Sequence, residues 1–346
     1  MSQPPISPDD REHMVRNTTH LWPELSGAHF FVTGGTGFYG KWLLESIAAA
    51  NDLLGAGVSA TILSRDPARF YREAPHLAAR REFSWLTGDT ADFRFPATHF
   101  EYVLHFATAS AAEVVAGGTA TILQTLHGTE RVLQFARSNG ARRLLFASSG
   151  AVYGRQPAEL SHIPEDHRGG PDLADAGSTY GELKRISEIM CSSSGIDCVI
   201  TRGFAFVGPY LPLTEKFAMG SFIRDALSRG PIRIHGDGRS VRSYLYAADL
   251  VIWLLTLLLK GKPNRPYNIG SDQAISLAGL AQHVAATTDA SAVQIALAPT
   301  PGPAERYVPE IQRARIELGL DVLIPLSLAL RRTVDWAQRE FKPSTH

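Results

Sequence analysis

The sequence is poor in cysteine, has no excess of charge and contains no long apolar run. Its two cysteines, Cys191 and Cys198, are too few for a disulfide framework and lack metal-ligand spacing, and its 12 histidines are scattered. Basic and acidic residues both number 34, so no overall field favours nucleic acid or an anionic membrane. The longest apolar run, Leu250 to Leu259, is too short to span a bilayer, and residues 1–27 lack the pattern of a secretory leader. We therefore predict a cytoplasmic protein with no metal, nucleic-acid partner or membrane contact.

The sequence does contain a glycine-rich turn between a predicted strand and a predicted helix. Gly35, Gly37 and Gly40 fit the pattern G-x-G-x-x-G, while Gly34, Gly37 and Gly40 fit the wider pattern G-x-x-G-x-x-G. Glycines allow the tight turn, and the free N–H groups at the helix start attract an anion, here the pyrophosphate of a dinucleotide. The phosphate-binding loop of nucleotide hydrolases is a poorer match, because Trp42 occupies the position of its Mg²⁺-binding hydroxyl.

The end of the second predicted strand, residues 58–63, bears on the choice of cofactor. In dinucleotide-binding folds this strand end faces the adenosine ribose, where an acid binds the 2′-hydroxyl of NAD and an arginine accommodates the 2′-phosphate of NADP. Arg65 favours NADP, and the neighbouring Asp66 is the alternative that would serve NAD. Asp89, after the next strand, suits the adenine pocket or a strand-ending turn equally well. Residues 106–110 are mostly small and polar after another buried strand, as expected beside a cofactor.

A serine, a tyrosine and a lysine form the predicted catalytic group. Residues 143–149 read as a strand that ends in Ser148 and Ser149, and chemistry in open α/β sheets lies beyond the carboxyl ends of the strands. Tyr180 and Lys184 share one face at the start of a predicted helix. We expect the Lys184 ammonium to lower the pKa of the Tyr180 phenol, and the serine hydroxyl to hold a substrate oxygen. Such a group moves the proton of an alcohol while hydride moves to or from nicotinamide.

These ordered motifs resemble an extended short-chain dehydrogenase/reductase of the nucleotide-sugar epimerase and dehydratase kind, from about residue 28 to residue 340. The segments that carry the resemblance are 34–40, 148–154, Tyr180 with Lys184, 202–209 and 236–246. The resemblance implies an α/β fold, with a Rossmann-type doubly wound parallel sheet and a smaller C-terminal substrate-binding domain. It also implies a nucleoside-diphosphate sugar as substrate, a homodimer, and three roles: Ser149 orients the substrate, Tyr180 is the acid/base, and Lys184 supports Tyr180 and binds the ribose.

On this resemblance the chain divides into a loosely held N-terminal arm and two domains. The arm is residues 1–27, the NAD(P)-binding domain is 28–205 with a returning segment at about 244–262, and the sugar-nucleotide domain is 206–243 with 263–346. The predicted cofactor contacts are Gly34, Gly37, Phe38, Tyr39, Gly40, Arg65, Asp89, Thr90, Phe106, Ala107, Thr108, Tyr180 and Lys184. The predicted substrate contacts are Ser149, Arg242 and Arg306, since a planar guanidinium suits a pyrophosphate.

Departures from the family pattern narrow the reaction. The family's 4,6-dehydratases carry Asp and Glu after the catalytic hydroxyl, and its sugar-acid decarboxylases carry Glu at the second of these positions. Gly150 and Ala151 stand there in this chain, and neither can transfer a proton. Ala205 also replaces an asparagine that many members place after the conserved arginine, so one expected contact is missing.

A 4-epimerase or a 4-ketoreductase needs only the serine, tyrosine and lysine. Our leading hypothesis is an NAD(P)-dependent epimerase that acts at C4 of a nucleoside-diphosphate sugar by transient hydride transfer. The alternatives are an NADPH-dependent 4-ketosugar-nucleotide reductase, which Arg65 favours, and a dehydratase with non-standard acid/base groups. A dinucleotide-binding regulatory protein without catalysis is the alternative from another class.

Overall fold

Strands and helices alternate along most of the chain. The computed structural model describes residues 2–172, 175–214, 217–288, 290 and 292–340. Short 3₁₀ turns span Gly150–Tyr153 and Ala176–Ser178. The strands are β1 (His29–Thr33), β2 (Ser59–Ser64), β3 (Phe83–Thr87), β4 (Tyr102–His105), β5 (Arg143–Ser149), β6 (Cys198–Gly203), β7 (Phe206–Val207), β8 (Ile232–Ile234), β9 (Val241–Arg242), β10 (Leu245–Tyr246), β11 (Pro266–Ile269), β12 (Ile275–Ser276), β13 (Val293–Ile295) and β14 (Arg306–Tyr307). The helices are α1 (Pro8–Thr18), α2 (Trp22–Leu25), α3 (Phe38–Leu54), α4 (Pro67–Glu73), α5 (Pro75–Ala78), α6 (Ala111–Asn139), α7 (Thr179–Ser193), α8 (Ala218–Leu227), α9 (Ala247–Lys260), α10 (Leu277–Thr288), α11 (Gln312–Leu318) and α12 (Leu326–Glu340).

The centre of the fold is a parallel sheet of seven strands in the order β3-β2-β1-β4-β5-β6-β11. Except at the edge strand β3, its strands are runs of buried residues rather than alternating ones, because helices cover both faces of a parallel sheet. The first six strands have the order of a doubly wound, Rossmann-type sheet, which confirms the predicted fold class. The order reverses between β1 and β4, and ligands bind at such a switch point, beyond the carboxyl ends of the strands.

The division into domains differs from the prediction at β11. This strand pairs in parallel with β6, so residues 266–269 belong to the central sheet rather than to the sugar-nucleotide domain. The segment 244–262 contains α9, which packs on β5 and α3. Its apolar run is buried up to Leu259. Across the described residues, no helix is both long and apolar enough to cross a membrane.

The N-terminal arm is folded, in contrast to the loosely held segment predicted. Helix α1 packs against α3 and α9, and Met14 and Leu21 are fully buried. The carboxylate of Asp10 is also buried, where it accepts hydrogen bonds from the Tyr246 hydroxyl at 2.8 Å and from Arg332 at 2.5 Å. The prolines and acidic residues suggested a loose arm because a local pattern does not reveal distant contacts. The buried partners of Asp10 lie more than 230 residues away in the chain.

Small sheets and helices α8, α10 and α12 form the part beyond the main sheet. Strand β9 lies between β12 and β14, and β8 pairs with β13. In the β9 and β14 pair, Tyr307 stands opposite Arg242. This register brings a C-terminal residue to the mouth of the central sheet, next to the end of β5.

Candidate active site

The glycine turn between β1 and α3 forms a cradle for an anion. Gly34 has φ +72°, and a Cβ there would lie 2.6 Å from the backbone nitrogen of Ala107, so only glycine fits. Gly40 packs against Gly35, where a Cβ would lie 2.2 Å from Cα. Gly37 is the N-cap of α3 and has no capping side chain, so the first-turn N–H groups of the helix are left for a ligand. The turn therefore fits the pyrophosphate of a dinucleotide.

A cleft of about 680 Å³ runs from this turn along the ends of β2, β3 and β4. Phe38, Tyr39 and Gly40 are the first residues of α3 and are not among those that line the cleft. Eight of the predicted cofactor contacts line the cleft: Gly34, Gly37, Arg65, Asp89, Thr90, Phe106, Ala107 and Thr108. The structure thus brings together residues from four separate stretches of the sequence.

The end of the cleft beyond β2 and β3 contains two arginines. The Arg65 side chain is 77% exposed, and its Nε lies 4.0 Å from Asp89 Oδ2. Asp66 Oδ1 accepts a hydrogen bond from the Arg69 backbone nitrogen at 2.9 Å, so this carboxylate caps α4. Arg69 also lines the cleft and is paired with Glu73 at 2.6 Å. The sequence analysis missed Arg69 and Glu73, although both lie on the helix that follows Arg65.

A close approach between α7 and the 3₁₀ turn after β5 places Tyr180 beside Ser149. Gly181 allows this approach, because a Cβ at this position would lie 2.4 Å from the carbonyl oxygen of Ala151. Burial raises the pKa of Tyr180, and the neighbouring Ser149 hydroxyl opposes this shift. The net pKa of the phenol is above its ordinary value.

Lys184 is completely enclosed and bonded to the backbone. Its Nζ donates to the Ala147 carbonyl at 2.7 Å and lies 6.0 Å from the centre of the Tyr180 ring. Burial lowers the pKa of Lys184 to about 7. The ammonium thus lies close to Tyr180, but the contact that lowers the tyrosine pKa is the one with Ser149 rather than the expected one with Lys184.

A buried histidine lies near Lys184. His105 is hydrogen bonded to the Thr33 hydroxyl at 2.7 Å, and burial, followed by the charge of Lys184, lowers the pKa of His105 to about 3. It is therefore neutral at physiological pH and adds no second positive charge beside the lysine. The sequence analysis assigned this residue no role.

A buried ion pair holds α7 against the sheet. Glu188 accepts two hydrogen bonds from Arg202 of β6, at 3.0 and 2.7 Å, and a third from Ser148 at 2.5 Å. Arg202 also donates to the Tyr153 hydroxyl at 2.9 Å, which in turn donates to Asn268 at 2.7 Å. These bonds connect α7, β5, β6 and β11, and so fix the helix that carries Tyr180 and Lys184.

Aromatic side chains pack around the turn that follows Ser149. A Cβ at Gly150 would lie 2.7 Å from both Tyr307 Oη and Phe204 Cζ. Tyr39 also reaches this region, where its hydroxyl lies 2.2 Å from the position of a Cβ at Gly203. Burial raises the pKa of Tyr39, and its electrostatic neighbours include Tyr180 and Tyr307. Tyr307 was missed because a two-residue strand carries no periodic signal.

The two arginines predicted for the substrate phosphates point in different directions. Arg242 is paired with Glu305 at 2.9 Å, and its guanidinium lies 6.0 Å from the Tyr307 ring. Arg306 donates to the Ser161 carbonyl at 3.2 and 3.3 Å. Because successive strand residues face opposite sides, Arg306 lies away from the face that carries Tyr307 and Arg242. Of the two, only Arg242 is brought toward Tyr307 and the turn that follows Ser149.

No cluster of three or more His, Cys, Asp or Glu residues that could hold a metal ion occurs within the described part of the chain. The site consists instead of a glycine cradle, a cleft with arginines at one end, and hydroxyl and amino groups at the other.

Comparison with known proteins gives consistent matches. Residues 30–270 match the model of the family described as "NAD dependent epimerase/dehydratase family". UDP-glucuronic acid decarboxylase 1 of Xenopus tropicalis is 24% identical over 342 residues, covering 96% of this chain and 78% of that protein. The structure is similar to that of an epimerase from Methanothermobacter thermautotrophicus, with a TM-score of 0.79, 21% identity and coverage of 94% and 96%. It is also similar to a UDP-glucose 4-epimerase from Thermotoga maritima with UDP-glucose, with a TM-score of 0.73, 22% identity and coverage of 90% and 99%.

Proposed function

The chain belongs to the NAD dependent epimerase/dehydratase family of enzymes, and on that premise we propose that it is an epimerase acting at C4 of a nucleoside-diphosphate sugar. The observation that carries this proposal is the closed position at Gly150. A side chain there would collide with Tyr307 and Phe204 at 2.7 Å, so the residue after Ser149 offers no acid or base and no room for one. Proton transfer at the substrate is left to Ser149 and Tyr180.

The relatives named decarboxylases are compatible with this proposal. The 24% identity to the Xenopus protein shows a shared fold and ancestry, but the residues after the catalytic hydroxyl determine which bond is broken. Ala151 cannot act as an acid or base, so decarboxylation by the family mechanism lacks a group that it needs. Elimination of water by the family mechanism lacks two such groups, because Gly150 and Ala151 stand at both positions.

The remaining residues suffice for epimerisation. A dinucleotide held in the cleft would supply a reversible hydride acceptor. Tyr180 takes the proton of the C4 hydroxyl and later gives it back, and Ser149 hydrogen bonds to the same oxygen. Lys184 lies 6.0 Å from the tyrosine ring, so its protonated form would stabilise the phenolate while this proton is absent.

For the cofactor, we propose a preference for NADP over NAD. Asp66 is occupied as the cap of α4, which removes the acid that the ribose of NAD would use at this strand end. Arg65 is largely exposed, and Arg69 of α4 lines the same cleft. Two guanidinium groups match the charge and shape of a 2′-phosphate.

This same end of the cleft favours one second candidate, an NADPH-dependent 4-ketosugar-nucleotide reductase. A reductase consumes its hydride and must exchange cofactor after each turnover, which suits the more reducing NADP pool. It needs the same Ser149, Tyr180 and Lys184. The two reactions are therefore distinguished by whether NADPH is consumed in each turnover, and not by the catalytic group.

For the substrate and the assembly, the proposal extends to Arg242 and to the outer face of α6 and α7. Arg242 would bind the diphosphate after leaving Glu305, whose side chain is 52% exposed.

The outer face of α6 and α7 presents exposed apolar side chains, which favours a homodimer through these helices: Val115, Leu123, Ile186 and Ile189. Sedimentation of wild type and Ile189→Arg tests this, since the variant is expected to be monomeric. Both cysteines are free and buried, which is compatible with a cytoplasmic location.

The test is turnover of a panel of UDP- and dTDP-linked hexoses by the purified protein, with products identified by NMR. Interconversion of C4 epimers with no net change in NADP(H) supports the epimerase. Stoichiometric consumption of NADPH with a 4-ketosugar nucleotide, by protein that carries no bound cofactor, rejects it in favour of the reductase.

A further inference from the structure

Two cations of very different exposure share the carboxylate of Glu73, at the edge of the cleft. Arg69 Nε lies 2.6 Å from Glu73 Oε1, and the arginine side chain is 71% exposed. Lys41 Nζ lies 3.5 Å from Glu73 Oε2, and the lysine side chain is only 7% exposed. Arg69 and Glu73 line the cleft, whereas Lys41 is not among the residues that line it. The carboxylate therefore joins a cation in the cleft to a cation inside the protein.

The N-terminal arm and two aromatic rings hold Lys41 in place. The lysine donates a hydrogen bond to Gln3 Oε1 at 2.6 Å, and the backbone nitrogen of Gln3 donates to the Glu73 carbonyl oxygen, also at 2.6 Å. The rings of Phe70 and Tyr210 lie 5.8 and 5.5 Å from Lys41 Nζ. The arm thus fastens the lysine to the end of α4, and the ammonium can move away from Glu73 only if this part of the arm undocks.

Arg69 is far less constrained. Its pair with Glu73 spans one exposed turn of α4, and such pairs contribute little to stability because water solvates both partners. A phosphate offers a guanidinium two charged oxygens in bidentate geometry. Burial alone would raise the pKa of Glu73, but Arg69 and Lys41 outweigh this effect and hold the pKa below its ordinary value, so the carboxylate is ionised. If Arg69 turns to a phosphate, that negative charge still needs a counter-ion, and Lys41 is already beside it.

We propose that Arg69 exchanges Glu73 for a phosphate group of the dinucleotide, and that Lys41 is the positioning residue that permits this exchange by neutralising Glu73. The inference rests on the proposed binding of a dinucleotide in this cleft, and the 2′-phosphate of NADP is the group that we expect. Lys41 thereby strengthens phosphate binding without touching the cofactor. Glu73 acts in the opposite direction, because its charge competes for Arg69 and repels the phosphate.

The test is calorimetric titration of the full chain with NADP⁺ and with NAD⁺, which needs no turnover. Lys41→Met should weaken NADP⁺ binding about 3- to 10-fold, because Glu73 is left to Arg69 alone, while Glu73→Gln should tighten NADP⁺ binding about threefold. Lys41→Met should have no effect in a Glu73→Gln background, which contains no charge to neutralise. Unchanged affinity in Lys41→Met, or an equal loss in both backgrounds, would overturn the proposal.

Glu317 provides the matched control. Its carboxylate is shared in the same way, by Arg265 and by Lys262 at 3.5 Å, but it does not line the cleft. Glu317→Gln and Lys262→Met should therefore leave both affinities unchanged, and shifts as large as those of the Glu73 and Lys41 variants would show a general effect of charge and overturn the proposal. If Lys41→Met does not fold, Glu73→Gln alone decides, since unchanged or weaker NADP⁺ binding overturns the proposal.

The two cofactors identify the phosphate. Effects on NADP⁺ alone assign it to the 2′-position, and equal effects on NAD⁺ assign it to the pyrophosphate that both cofactors share. Wild type that binds neither dinucleotide rejects the proposed cofactor function and this inference with it. Wild type that binds NADP⁺ no more tightly than Lys41→Met does rejects the exchange of partners alone.

Discussion

Gly181 lies so close to the Ala151 carbonyl oxygen that a Cβ would be 2.4 Å from it. This contact sets the distance between the helix that carries Tyr180 and the turn that follows Ser149. Gly181→Ala should therefore shift α7 and lower kcat about 10- to 100-fold, because a displacement of about 1 Å misaligns the catalytic hydroxyls. Steady-state kinetics test this. Gly230→Ala is the control, since a Cβ there would lie 3.8 Å from its nearest neighbour, and an equal loss in both variants would contradict the explanation.

Tyr180→Phe should reduce turnover by about 10² to 10⁴ while cofactor affinity is retained, because only the proton-transfer group is lost. Turnover is measured with the substrate found in the nucleotide-sugar panel, and affinity by fluorescence titration with NADP⁺. Turnover within twofold of wild type would remove Tyr180 from the catalytic group.

Arg65→Ala and Arg69→Ala should each weaken NADP⁺ binding about tenfold, with little change for NAD⁺, because each removes a charged donor to the 2′-phosphate. Calorimetric titration with both cofactors gives the two affinities. Arg72→Ala is the control, as this exposed arginine lies on the same helix but outside the cleft. Equal losses for NAD⁺ and NADP⁺ would count against a 2′-phosphate site.

Lys184 should make the stability of the cofactor-free protein depend on pH. Its pKa is about 7 in the folded protein and near 10.4 when unfolded, so between these values the unfolded chain binds more protons. The free energy of unfolding of the wild type should therefore rise with pH across this window, by up to about 1.4 kcal/mol per pH unit, relative to Lys184→Met. Urea unfolding from pH 7 to pH 10 measures the difference. Lys260→Met, which alters a half-exposed lysine, should show no such trend.

Glu188→Ala should destabilise the protein by about 3 to 5 kcal/mol, because it leaves the Arg202 guanidinium buried without its partner. Glu182→Ala, on the same helix but in a looser pair with Arg185 at 3.7 Å, should cost less than about 0.5 kcal/mol. Denaturant unfolding compares the two. Similar losses would show that the buried pair has no special role in holding α7.

Much of the site was predictable because short motifs encode it locally. The glycine turn, the serines that end β5, and the spacing of Tyr180 and Lys184 are each read within about ten residues, and the structure places them together at the switch point of the sheet. Tyr307 and Arg69 were not predictable in this way. Tyr307 reaches Ser149 only because β14 pairs with β9 across more than 60 residues of chain.

The sequence by itself determined the family and the doubly wound sheet, and it singled out Ser149, Tyr180 and Lys184, since backbone turns and helical spacing depend on neighbouring residues. The tertiary structure decided the rest: that the N-terminal arm is folded, that β11 joins the central sheet, that Asp66 caps a helix, and that Gly150 is closed by Tyr307 and Phe204. These features depend on contacts between distant segments, which only packing in three dimensions specifies.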